Sequence, residues 1–226
     1  MKLAILSSIR EATCLNPKEI SMHLEILVEE PSAEIALHNL LPKLVTGEHT
    51  YKIITFQGKS DLLKKLGIEL KGYKRWIPDD FKIIVLVDRD DQDCRVLKEC
   101  LELHAKNANL ITKTSSHGGL DYSVVNRIVI EELEAWFFGD DIAVRNAYPR
   151  VSASFQNRAR FRNPDHITGG TWEALEKLLN AGGYYKSGFR KTEVAHNISR
   201  QMEPLRNRSK SFQIFREAIS EITDGK

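Results

Sequence analysis

The chain has 226 residues, 42% of them hydrophobic and 28% charged, which is enough apolar material for one sizeable α/β domain with an appendage or for two small domains. No apolar run approaches the roughly 20 residues of a membrane span, and the start, MKLAILSSIREATCLN, offers too short an apolar core for a signal peptide, so a cytoplasmic protein is expected. The net charge of +2 is unevenly spread: residues 145–226 hold 15 lysines and arginines against 8 carboxylates, leaving 18 against 23 for residues 1–144.

Residues 1–22 have no clear period and read as a leader or added edge element. The first strand expected is HLEILVE, residues 23–29, leading into a helix with Leu37, Leu40, Leu41, Leu44 and Val45 at helical spacing. Pro31 or Ser32 starts that helix and Pro42 bends it near its end. YKIITFQG is the second strand, followed by a helix over SDLLKKLGIELKGY and a turn at IPDD. KIIVLVDRDDQDCRVL then places five apolar residues directly before four aspartates, and a helix over 95–105 follows with Leu97, Leu101 and His104 on one face.

ANLITKT reads as a further strand, SSHGGLDY as a loop and SVVNRIVI as another strand, which runs into an amphipathic helix over EELEAWFFGDD. In that helix Trp136 and Phe137 are core anchors. Strands separated by helices predict a three-layer α/β domain with a largely parallel sheet over residues 23–140. Residues 141–226 change character: TWEALEKLLN, KTEVAHNISRQM and SKSFQIFREAISEI form basic helices, expected as an appendage packed on the core.

The three cysteines, Cys14, Cys94 and Cys100, form no CxxC pair and read as reduced thiols, with Cys100 on an apolar helix face beside Val96 and Leu103. The chain lacks G-x-S-x-G, G-x-x-x-x-G-K-[ST] and G-x-G-x-x-G, which argues against a serine nucleophile, a P-loop and a dinucleotide fingerprint.

Three expected strands end in carboxylates: EILVEE in Glu29 and Glu30, IIVLVDRD in Asp88 and Asp90, and RIVIEELE in Glu131, Glu132 and Glu134. Parallel strands share polarity, so these ends line the edge where open α/β sheets bind ligands. Alternation sends Asp88 and Asp90 to the same side. Packed carboxylates repel, and a divalent cation such as Mg²⁺, which takes oxygen ligands, would offset the repulsion. The plainer reading is a helix cap: Asp91 or Asp93 serves the following helix N-terminus. The basic stretches RNAYPR, NRARFRN, SGFRK and RNRSK, with aromatics between, suit either a phosphate backbone or a solvated helical surface.

LVEEPSAEIALHNLLPKL resembles the first motif of a TOPRIM domain, where a glutamate follows the first strand, and LVDRDDQD resembles its D-x-D motif. The subtype it looks most like is the TOPRIM domain of OLD-family (overcoming lysogenization defect) nucleases. EELEAWFFGD, FRKTEVAHNISRQM and SKSFQIFREAI resemble a bacterial family of small stand-alone TOPRIM-like proteins, a domain of unknown function often encoded beside an ATPase. The resemblance spans most of residues 23–220. It differs at Glu30, where glycine is usual, and at Arg89, where a small or apolar residue is usual.

The resemblance implies that Glu29, Asp88 and Asp90 hold Mg²⁺ or Mn²⁺, with Glu134 as the acidic residue of the later motif and Glu132 its competitor. It implies a metal-dependent nuclease acting on DNA or RNA through the basic C-terminal region. The setting implied is bacterial or archaeal defence, with an AAA- or ABC-type ATPase partner, and a homo-oligomer is compatible with it. The alternative is a non-catalytic adaptor that uses the same fold to bind the ATPase. Lys191, in FRKTE, and Lys113 are candidates to stabilise a developing phosphorane charge. Glu34 is a candidate to orient a ligand, and His117 to touch phosphate. A haloacid-dehalogenase-type phosphatase also carries D-x-D after a strand, but normally on the first strand.

Overall fold

The structure, a computed structural model, describes residues 21–117, 119, 121–186 and 188–224, so Cys14 and most of the expected leader lie outside the described residues. The chain alternates strand and helix: β1 (His23–Val28), α1 (Pro31–Leu44), β2 (Thr50–Thr55), α2 (Lys59–Lys74), β3 (Phe81–Asp88), α3 (Cys94–Asn107) and β4 (Val124–Val129). Five helices follow: α4 (Glu134–Gly139), α5 (Asp141–Ala147), α6 (Thr171–Ala181), α7 (Lys191–Gln201) and α8 (Lys210–Asp224). All strand pairs are parallel and their order is β2-β1-β3-β4.

The two central strands carry apolar side chains on both faces, as strands covered by helices on both sides must. On one face Leu27, Ile83, Val85 and Val87 pack against Leu62, Leu66 and Leu70 of α2 and Leu97 and Leu101 of α3. On the other, Leu24, Ile26, Ile84 and Leu86 meet Leu37, Leu40 and Leu41 of α1. The same cluster takes in Trp136, Phe137, Leu175, Ile198, Phe212 and Phe215 of the later helices. The result is the expected three-layer α/β architecture. No helix among the described residues is long and apolar enough to cross a membrane.

Three details depart from the sequence reading. ANLITKT is not a strand: it contributes an isolated bridge between Thr112 and Val124. Ile111 O and Lys113 N–H still bond to the backbone at Ser123 and Val124, but beyond them the hydroxyls of Thr112, Ser115 and Ser116 bond to neighbouring backbone groups and close a turn that ends the pairing. The helix over EELEAWFFGDD is only six residues long and restarts as α5. It breaks where the chain of Asn207 and Ser209 presses on Gly139, where a Cβ would meet Ser209 N at 2.9 Å, and where the Asp140 carboxylate turns to accept Ala143 N–H. In α3 the buried face is Leu97, Leu101 and Ala105, whereas Val96 and Leu103 are 64% and 56% exposed. The stripe containing Cys100 therefore faces outward, because only one side of α3 meets the sheet.

Candidate functional site

The register explains which carboxylates emerge together. Val28 pairs with Leu86, and Asp88 pairs with Val129, so β1, β3 and β4 all deliver their next residues to one edge. Alternation along β3 puts Asp88 on the side of Ile84 and Leu86, the face covered by α1 and the later helices. Glu134, at the start of α4, and Lys191, at the start of α7, come from that same side.

Glu29 and Asp88 are directly coupled. The Asp88 backbone N–H donates to Glu29 Oε1 at 2.7 Å, and Asp88 Oδ2 accepts from Leu133 N–H at 3.2 Å. Glu29 is 6% exposed and Glu134 is 3% exposed, and Glu134 Oε2 has no hydrogen-bond partner. Burial pushes the Glu29 carboxyl up to about 7, against the pull of the Asp88 N–H and of Lys59. Burial, then the neighbouring Glu29 and Glu134, holds Asp88 well above the usual carboxylate range. Burial likewise lifts Glu134 to about 7, with Lys191 opposing. Lys191 is pulled down by burial, but Glu134, Glu30, Glu132 and Asp88 more than offset this and raise it. Its ammonium also lies 4.8 Å from the centre of the Trp172 ring.

The other sequence candidates have different company. Asp90 does not continue the alternation of β3: the strand has ended, its φ is +49°, and its N–H bonds to Glu131 O. Its carboxylate is about half exposed and pairs with Lys59 at 2.9 Å. Arg89 pairs with neither aspartate carboxylate: its guanidinium pairs with Glu131, and its Nε donates to the backbone Asp90 O at 3.2 Å. Glu132 Oε2 accepts from Thr171 Oγ1 at 2.8 Å and Trp172 N–H at 2.9 Å, capping α6. Asp93 is the N-cap of α3, accepting from Arg95 and Val96 N–H, as the plainer reading of the aspartate run expected. Glu34 accepts from Thr55 Oγ1, Lys113 pairs with Glu221, and His117 is exposed.

The sequence reading missed Lys59, which also donates to Arg89 O at 3.0 Å and so ties the first turn of α2 to the end of β3. A signal was present: FQGKS follows β2, and a fourth parallel strand must deliver its end to the same edge.

Among the described residues, no three His, Cys, Asp or Glu side chains are arranged to hold a metal ion as they stand. The donor chemistry of Glu29, Asp88 and Glu134 nevertheless fits a hard divalent cation: all are oxygen ligands, all are held against ionisation by burial, and Glu134 has an unpartnered oxygen. A cation would remove the repulsion that a second and third ionisation create here.

Comparison with known proteins found a match between residues 28–220 and the family model of a domain of unknown function, DUF4276, and the chain belongs to that family. Neither the curated proteins nor the solved structures contained a match.

Proposed function

We propose that this DUF4276 chain is a Mg²⁺- or Mn²⁺-dependent phosphodiesterase of TOPRIM-like design, acting as a nuclease in bacterial or archaeal defence beside an ATPase partner. The observation that carries the chemistry is the gathering of Glu29, Asp88 and Glu134, two buried carboxylates and a half-buried one from separate parts of the chain, at the carboxyl edge of a parallel sheet. The TOPRIM relationship, the defence role and the ATPase rest on the motif resemblance.

Glu29 and Asp88 would hold the cation, with Glu134 beside them and Asp90 reaching the site on release from Lys59. A bound cation supplies Lewis-acid stabilisation of phosphoryl oxygens and a water of lowered pKa. Lys191, kept protonated by the carboxylates around it, is placed to meet negative charge developing on a phosphoryl oxygen. The Trp172 ring faces the Lys191 ammonium, and Glu132 holds Trp172 by capping the first turn of α6. Cations along the C-terminal region supply attraction for a nucleic-acid backbone. Cleavage of DNA or RNA by purified protein with Mn²⁺, lost in Asp88→Asn, is the test; no cleavage of either, with or without an adjacent ATPase, rejects the nuclease.

A second reading has its own observation. Lys59–Asp90 and Arg89–Glu131 already neutralise two carboxylates of the edge, as suits an adaptor that needs no cation. That reading predicts a stable complex with the ATPase whose biological effect survives Asp88→Asn.

A further inference from the structure

A cavity of about 390 Å³ lies between the C-terminal half of α6 and the chain that runs through residues 150–161. Ala174, Lys177, Leu178 and Ala181 recur at helical spacing and present one face of α6 to it. Arg150, Arg158 and Arg160 line the other side. Arg150 closes the basic stretch RNAYPR, and Arg158 and Arg160 belong to NRARFRN, so the two stretches bring their cations to one concave surface.

These four cations have no counter-charge. No carboxylate lines the cavity, and among the described residues none of the four lies within ion-pair distance of one. Glu173, one turn before Lys177, lines a different, acidic cavity beside Asp90 and Glu131. Two of the arginines are each held by one guanidinium nitrogen. Arg150 Nη2 donates to Gly183 O at 3.2 Å, with the guanidinium 4.2 Å from the centre of the Tyr184 ring, and Arg160 Nη2 donates to Thr168 O at 3.1 Å. A guanidinium carries five N–H donors, so most remain free for an anion. The negative end of the α6 dipole accounts for Arg150 but not for the other three. Like charges gathered in this way repel, and an anion removes the repulsion.

We infer that this surface grips the backbone phosphates of a nucleic-acid strand. Guanidinium forks match phosphate oxygens in shape as well as charge. Apart from the cations, Ser152 is the only polar side chain in the lining, so the cavity offers little with which to read a base. All four cations are exposed, which suits a strand passing over them better than an enclosed small ligand. The position suits the carboxylate edge: Glu132 caps the start of α6 there, and Lys177 stands six residues beyond Thr171, about 9 Å along the helix axis. Arg160 gives a second tie, because its partner Thr168 lines the acidic cavity with Asp90. The inference deepens the nuclease reading and rests on it for the choice of nucleic acid among polyanions.

The test is fluorescence anisotropy of a labelled single-stranded oligonucleotide titrated with the full chain in EDTA, where binding is read apart from metal-dependent cleavage. Saturable binding is expected, similar for oligo-dA and oligo-dT and weakening steeply with salt. Arg158→Gln with Lys177→Gln, both at exposed positions, should weaken it about tenfold or more. The same variant should lower the slope of log K against log[salt] by roughly 1.4, the share of two phosphate contacts on a single strand. Lys64→Gln with Lys71→Gln removes equal charge from exposed positions of α2, on the opposite face of the sheet, and should change neither quantity. Absence of saturable binding, unchanged affinity in the Arg158 and Lys177 variant, or an equal loss in the α2 variant would overturn the inference. So would displacement of the strand by inorganic phosphate, ATP or polyglutamate at the same concentration of charge. The expected binding in a chain that cleaves nothing with Mn²⁺ supports the surface and rejects the nuclease; cleavage without these effects does the reverse.

Discussion

The backbone N–H of Asp88 donates to Glu29 Oε1 at 2.7 Å, so the end of β3 orients the carboxylate that leaves β1. Two strands adjacent in the sheet but separated by more than fifty residues are thereby fastened at the edge where the charge gathers. The arrangement is costly in the metal-free chain, since burial opposes ionisation of both groups.

Replacing Glu29 by Gln keeps an oxygen for the Asp88 N–H and removes the charge. With its carboxyl lifted from 4.5 to about 7, the metal-free variant is expected to be more stable than the parent at pH 8 by about 3 kcal/mol. Denaturant unfolding in EDTA measures this, and the same variant should lose divalent-cation binding. Equal or lower stability at pH 8 would show that the buried charge is not the cost assigned to it.

The pH dependence follows with a definite sign. Glu29 and Glu134 both move from 4.5 in the unfolded chain to about 7 in the folded one, so the folded state binds more protons between those values. Their contribution is fully present below pH 4.5 and is lost as pH rises through 7, at about 3 kcal/mol each at most. Thermal unfolding of metal-free protein should give a Tm that falls from pH 5 to 7.5, with saturating Mn²⁺ offsetting the fall. A Tm that rises across that window in EDTA would contradict the assignment.

Glu132 is expected to matter for stability and not for the cation. Its Oε2 caps the first turn of α6 through Thr171 and Trp172. Glu132→Ala should cost about 1 kcal/mol in unfolding free energy while leaving Mn²⁺ affinity unchanged. Loss of Mn²⁺ binding with unchanged stability would make it a ligand instead.

Lys191→Met keeps an unbranched side chain and deletes the charge that lies near Trp172 and Glu134. In the nuclease assay kcat should drop about a hundredfold, the scale of one lost donor to a developing oxyanion, with KM little changed. The Glu134 carboxyl should move up further once the lysine no longer opposes burial. A rate unchanged from the parent would confine Lys191 to packing.

Much of this was legible in the sequence because the signals were local. Apolar runs bounded by turns located all four strands, and the carboxylates at their ends pointed to one edge. ANLITKT failed because the hydroxyls of Thr112 and of Ser115, just past the segment, turn the chain away after a single bridge, which periodicity does not record. Val96, Cys100 and Leu103 share spacing with a buried stripe, yet α3 meets the sheet only through Leu97, Leu101 and Ala105. Within the site, Glu29 and Asp88 could be read from strand ends, and Glu134 from its motif. The roles of Asp90, Glu132 and Lys59 could not, because each depends on a partner from a distant part of the chain or on a left-handed residue just past a strand.

The central claim is that the carboxylates gathered at the sheet edge hold a divalent cation. Its most direct test is a calorimetric Mn²⁺ titration at pH 8 of the parent chain and of the Asp88→Asn, Glu134→Gln double variant. Saturable binding by the parent that vanishes in a folded double variant is the predicted result. Binding unchanged by the two substitutions, or no binding by the parent in either the absence or the presence of nucleic acid, would contradict the account and favour the adaptor.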